Sequence, residues 1–119
     1  MANDKVYSDS ETIARLATDL PQWEAGDGTI SRTYRTPGWP HTLMLVNAIA
    51  HAAEAAWHHP DLQVGYNAVH ITLSTHSAKG VTDKDLALAR RIEAIATWQP
   101  ASDSPLEGFE IANGKKWIG

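Results

Sequence analysis

An α+β domain is predicted: a four-stranded antiparallel sheet with three helices packed on one of its faces, plus a C-terminal extension. Three observations lead there. Apolar residues recur at helical spacing in segments that begin near Ser8, Pro40 and Thr82. Extended segments fall in pairs between them, so the order is helix, strand pair, helix, strand pair, helix. That order covers one face of a sheet with helices. At 119 residues the chain has the size of one domain, long enough to bury roughly two-thirds of its unfolded surface.

Ser8 caps the first helix, and Glu11 completes a capping box. Ile13, Leu16, Ala17 and Leu20 give its apolar face, and Pro21 ends it. Gln22 to Ala25 and Thr29 to Tyr34 read as strands joined through Gly26-Asp27-Gly28, where Asp-Gly tolerates the positive φ of a tight hairpin. Thr36 to Pro40 turns into the second helix, with proline tolerated in its first turn. This helix is expected to run to Trp57 or His58. Leu43, Val46, Ala50, Ala53 and Trp57 are read as its apolar face, and Asn47, His51, Glu54 and His58 as a polar stripe.

Asp61 to Gly65 is a short strand or extended loop. Ala68 to Thr75 is the clearest strand, with Val69, Ile71, Leu73 and Thr75 on the core face and His70, Thr72, Ser74 and His76 on the other. Thr82 caps the third helix, and Leu86, Ala89, Ile92 and Ala96 give its apolar face before it ends near Trp98. Residues 1–98 thus form the domain and 99–119 a tail. In the tail Phe109, Ile111 and Trp117 flank Asn113-Gly114, which suggests a small hairpin that needs a surface to pack on.

Composition narrows the function. The chain has no cysteine, which excludes disulfides and thiolate metal sites. The first five residues lack the apolar core of a signal peptide. The apolar run Leu43 to Trp57 is broken by Asn47, His51 and Glu54, too polar to span a membrane. A cytoplasmic location is expected. A formal charge of −4 without a basic stripe argues against direct nucleic-acid binding.

The groups able to move protons near neutral pH concentrate between Glu54 and His76. Pro60 has no amide hydrogen and excludes His59 from the helical region. His58 is therefore expected in the last helical turn and His59 in extended chain, so the two imidazoles diverge. A helix end also attracts histidine for its dipole alone. Asp85, at the third position of its helix, is explained equally well as a capping-box acid. His70 and His76 lie about 20 Å apart at strand rise, too far to share a metal ion, and His70 reads as a surface or interface residue. His51, Glu54 and His58 share one helix face, but without the spacing of a metal-dependent hydrolase.

Glu54-x-x-x-His58-His59-Pro60, Tyr66, Val69-His70-Ile71-Thr72-Leu73-Ser74-Thr75-His76 and Asp85 together resemble the signature of the pterin-4a-carbinolamine dehydratases. The resemblance runs from about Trp23 to about Ala96. It implies dehydration of 4a-hydroxytetrahydropterin to quinonoid dihydropterin in tetrahydrobiopterin-type cofactor recycling. His58, His59 and His76 would act as acid and base, and Glu54 and Asp85 would orient or charge-stabilise them. Trp57, His58, His59, Ser74, Thr75, His76 and Ser77 would contact the pterin. No metal or organic cofactor is implied, and homodimers or homotetramers are. The family also contains silent relatives that act as assembly factors of the rubisco type or as regulatory partners. The Pro37-Gly38-Trp39-Pro40 entrance and the tail depart from the usual pattern, and the tail offers a place for a protein partner.

Overall fold

The computed structural model describes residues 4–119. Its elements are α1 (Asp9–Asp19), β1 (Glu24–Gly26), β2 (Thr29–Arg35), α2 (Trp39–Ala56), β3 (Asp61–Val64), β4 (Ala68–Leu73), α3 (Asp83–Ala96) and α4 (Phe109–Asn113). The four strands form one antiparallel sheet in the order β1-β2-β4-β3. The fold is α+β, as the pattern of elements predicts.

Register places the core. Ile30 pairs with Leu73, Arg32 with Ile71 and Tyr34 with Val69, so all six side chains lie on one sheet face. All six are buried, with Leu16, Leu20, Leu45, Ile49, Leu86, Ala89 and Ile92 of the helices. The opposite face carries Ser31, Thr33, His70 and Thr72, only half-buried. There the His70 imidazole Nδ1 lies 2.7 Å from the Thr33 hydroxyl.

Local signals explain most boundaries. Ser8 and Glu11 form the capping box of α1, and Thr82 and Asp85 that of α3. Asp27 and Gly28 both take positive φ, 55° and 73°, in the two-residue turn between β1 and β2.

Glu93 of α3 closes the core against β2. It accepts hydrogen bonds from Trp23 Nε1 at 3.0 Å, the Tyr34 hydroxyl at 2.5 Å and Arg32 Nε at 3.2 Å. Burial pushes the Glu93 carboxyl upward, but donors from Arg32, Tyr34 and Trp23 outweigh it and hold the group below its ordinary range. Burial, reinforced by Glu93, pushes the Tyr34 phenol far above its ordinary range.

Two expectations about the helix faces are corrected. The buried face of α2 is Thr42, Leu45, Ile49, Ala52 and Ala53, one position out of phase with the expected stripe, so Leu43 and Trp57 are exposed. The helix is apolar on most of its circumference, and periodicity alone does not fix its rotation. Ile13 is also exposed, and Thr12 takes the inward position in α1, its hydroxyl satisfied by the Ser8 carbonyl.

The tail is not a hairpin. Phe109–Asn113 is a short helix, and only Gly114 is left-handed, closing it as a C-terminal cap. Asn113 stays helical and donates its side-chain amide to the Phe109 carbonyl at 2.9 Å. Phe109 and Trp117 pack 4.9 Å apart, and both meet His41 edge-on near the start of α2. Ile118 is buried in the core cluster, and Gly119 exchanges two backbone hydrogen bonds with Arg35.

Candidate active site

The end of α2 determines where its histidines point. Trp57 lies in the left-handed region, φ 52° and ψ 48°. Its N–H bonds the Glu54 carbonyl at 3.2 Å, and the His58 N–H bonds the Ala53 carbonyl at 3.1 Å. This is the Schellman arrangement, which glycine usually serves. The helix therefore stops at Ala56, and His58 sits just past its last turn rather than within it. Pro60 then leads into β3, and His59 leaves on a different side.

From there His58 reaches the start of α3. Its Nε2 is 2.6 Å from Oδ1 of Asp85, which is wholly buried. Oδ2 of Asp85 accepts the Thr75 hydroxyl at 2.7 Å and the Thr82 N–H at 2.9 Å. The chain of donors is ordered. Lys84 N–H donates to the Thr82 hydroxyl, the Thr82 hydroxyl to that of Thr75, and the Thr75 hydroxyl to Asp85. As a carboxylate Asp85 only accepts, so the proton between it and His58 lies on Nε2. Nδ1 of His58 makes no hydrogen bond among the described residues. Asp85 thus serves both readings of the sequence: it caps α3 and fixes the tautomer of His58.

His59 has a looser partner. Its Nε2 lies 2.9 Å from Glu54 Oε1, with 51% and 69% of the two side chains exposed. Water competes for such a pair, which is worth at most about 1 kcal/mol. The Trp57 ring meets the His59 ring edge-on at 4.9 Å.

These groups border a cleft of about 380 Å³, lined by Trp57, His58, His59, Ser74, Thr75, His76 and Ser77 from the expected set. Pro60, Asp61 and Lys84 line it as well. Glu54 and Asp85 stand behind His59 and His58 and do not line it. Sequence reasoning passed over Lys84. It sits between the cap Thr82 and Asp85, and that adjacency was the available signal. Lys84 Nζ pairs with Asp4 at 3.0 Å. His70 lies on the far sheet face, away from the cleft.

Three histidines around one cleft, one with a fixed tautomer, can take a proton from one atom of a bound molecule and give one to another. Among the described residues no group of three histidine, aspartate or glutamate side chains is placed to hold a metal ion.

A family model described as pterin 4 alpha carbinolamine dehydratase matches residues 5–95. A relative from Thermomicrobium roseum, provisionally named a pterin-4-alpha-carbinolamine dehydratase, is 42% identical over 89 residues, covering 75% of this chain and 96% of the relative. A similarly named relative from Aquifex aeolicus is 41% identical, covering 71% and 86%. Among solved structures, a transcriptional coactivator/pterin dehydratase from Brucella melitensis superposes with a TM-score of 0.71 at 33% identity, covering 77% of this chain and 99% of that one. A pterin dehydratase-like RuBisCO assembly factor of the alpha-carboxysome shares the fold, with a TM-score of 0.54 at 21% identity over 63% of this chain and 87% of that one.

Proposed function

Because this chain belongs to the pterin 4 alpha carbinolamine dehydratase family, we propose that it removes water from 4a-hydroxytetrahydropterin by histidine acid–base catalysis. The hydrogen bond from His58 to buried Asp85 at the edge of the cleft carries this reading. In the reaction the N5–H and C4a–O bonds break, the C4a=N5 bond forms, and water leaves. A base must take the nitrogen proton and an acid must protonate the departing hydroxyl.

His58 fits the base. Asp85 holds its proton on Nε2, leaves Nδ1 as the acceptor and stabilises the imidazolium that forms. His59 and His76 are exposed to the cleft and supply the acid. Glu54 orients His59, and Trp57, Ser74, Thr75 and Ser77 border the pterin. The product is quinonoid dihydropterin, which places the enzyme in recycling of a tetrahydrobiopterin-type cofactor. Assembly as a homodimer or homotetramer belongs to the same reading.

A stopped-flow absorbance assay of 4a-hydroxytetrahydropterin dehydration tests it. Turnover above the uncatalysed rate, lost in His58→Ala, is expected. A folded full-length protein with neither turnover nor pterin binding would refute it. That outcome would favour the silent, partner-binding form of the fold.

A further inference from the structure

Behind the cleft lies a second and larger concavity that the reaction does not use. It has a volume of about 510 Å³ and runs between α2 and α3. The two hollows share Trp57, His58 and Lys84, so they adjoin. Its walls are apolar and small, with Ala52, Ala55 and Ala56 on α2 facing Ala87, Leu88 and Ile95 on α3. Among the described residues its ionisable lining groups are His51, His58, Lys84 and Arg91, with no carboxylate. Arg91 is exposed and makes no ion pair among the described residues.

The spacing along α3 is informative. Lys84 stands where the groove opens from the cleft, and Arg91 follows seven residues later on the same helix. At helical rise that is about 10 Å further from the reaction centre. A ligand that starts in the cleft and lies along the groove meets alanine and leucine side chains first and a guanidinium after them. Flat apolar walls suit an aromatic linker, and a guanidinium suits a carboxylate in two-point contact.

Resting on the dehydratase reading, we infer that the groove is a subsite for the 6-substituent of the pterin, and that it selects substituents with an aromatic linker ending in carboxylates. A pterin with a p-aminobenzoylglutamate arm has this form. Its ring system occupies the histidine cleft, its aryl group lies against Ala55, Ala87 and Leu88, and its carboxylates meet Arg91. Charge complementarity and adjacency to the cleft decide for this occupant over an apolar one.

The test compares two 4a-hydroxytetrahydropterins, one with a 6-methyl group and one with the p-aminobenzoylglutamate arm. Each is assayed with the wild-type chain and with Arg91→Ala and Arg91→Lys. Wild type should show the higher kcat/KM for the acidic substrate. Arg91→Ala should lower that value about three- to tenfold, through KM, and leave the 6-methyl substrate unchanged. Arg91→Lys should restore part of the loss. Equal kcat/KM for the two substrates in wild type, or equal loss on both in Arg91→Ala, would overturn the subsite. Binding of the unreactive 7,8-dihydro form of each pterin, followed by calorimetry, separates the two inferences. If neither substrate is dehydrated, the dehydratase reading fails. The subsite then stands only if the acidic dihydropterin binds more tightly than the methyl one and Arg91→Ala removes the difference.

Discussion

Replacing Asp85 by asparagine changes charge and donor pattern while keeping volume, so it isolates what the carboxylate does. The amide oxygen of the substituted side chain would still accept the Thr75 hydroxyl and the Thr82 N–H, which now reach Oδ2. Its NH2 group would then face His58 Nε2 and require a lone pair there. The imidazole proton would move to Nδ1, and the base of the proposed reaction would lose its acceptor. Three charge-assisted hydrogen bonds become neutral ones, a difference of about 1 kcal/mol each, so stability should fall by about 2–3 kcal/mol. Asp85→Ala should cost more, about 3–5 kcal/mol, because it strands buried donors and opens a cavity. The dehydration rate of folded Asp85→Asn should drop on the order of a hundredfold or more. Urea unfolding measures the first effect, stopped-flow absorbance the second, and 15N imidazole shifts report the tautomer directly. A folded Asp85→Asn protein with near-normal turnover, or with His58 still protonated on Nε2, would refute the reasoning.

His59→Ala should lower turnover on the order of a hundredfold, whereas His70→Ala on the opposite sheet face should leave it nearly unchanged; a more damaging His70→Ala would move the reaction elsewhere. Extensive chelation should leave the rate unaltered, and a loss restored by a divalent ion would point to metal chemistry instead. The Glu93 carboxyl is held low in the folded state, so its stabilisation is complete above the ordinary carboxylate range and is lost as pH falls through that range towards the depressed folded value. Urea midpoints of wild type and Glu93→Gln should therefore differ most at neutral pH and converge on acidification; a constant gap would show that the ionised form contributes nothing. Ending the chain after Trp98 removes buried Ile118 and the Trp117 contacts, which should cost about 3 kcal/mol by apolar burial; an unchanged urea midpoint would make the tail peripheral.

Most of the fold was legible because local and long-range signals agree. The capping boxes at Ser8 and Thr82 and the Asp27-Gly28 turn depend on residues a few positions apart and stand as read, and the alternation of β4 holds to Leu73, where the strand ends two residues before the expected Thr75. What failed depended on tertiary context. An α2 that is apolar on most of its circumference does not reveal which stripe faces the sheet, and an Asn-Gly pair serves a helix end as readily as a hairpin. The site shows the same division. Trp57, His58, His59, Ser74, Thr75, His76 and Ser77 of the motif border the cleft, whereas Glu54 and Asp85 do not, and the capping and His58-binding functions of Asp85 looked like alternatives in sequence. Only the geometry shows that two oxygens of one carboxylate meet both needs.

The left-handed Trp57 has a consequence for dynamics. A non-glycine residue in that region costs about 1 kcal/mol or more. Relief lies close at hand, since Trp57 and His58 have helical alternatives until Pro60 forbids His59 from joining them. Each added helical residue would turn the following side chain by about 100° around the helix axis and carry His58 away from Asp85. That change would break the 2.6 Å bond between His58 and Asp85, which therefore acts as a latch against it. Loosening that latch with Asp85→Asn should raise the population of the longer helix, visible as microsecond-to-millisecond exchange broadening at the amides of residues 56–59 by relaxation dispersion. Quiet amides there in the variant would mean that packing, and not the carboxylate, holds the helix end in place.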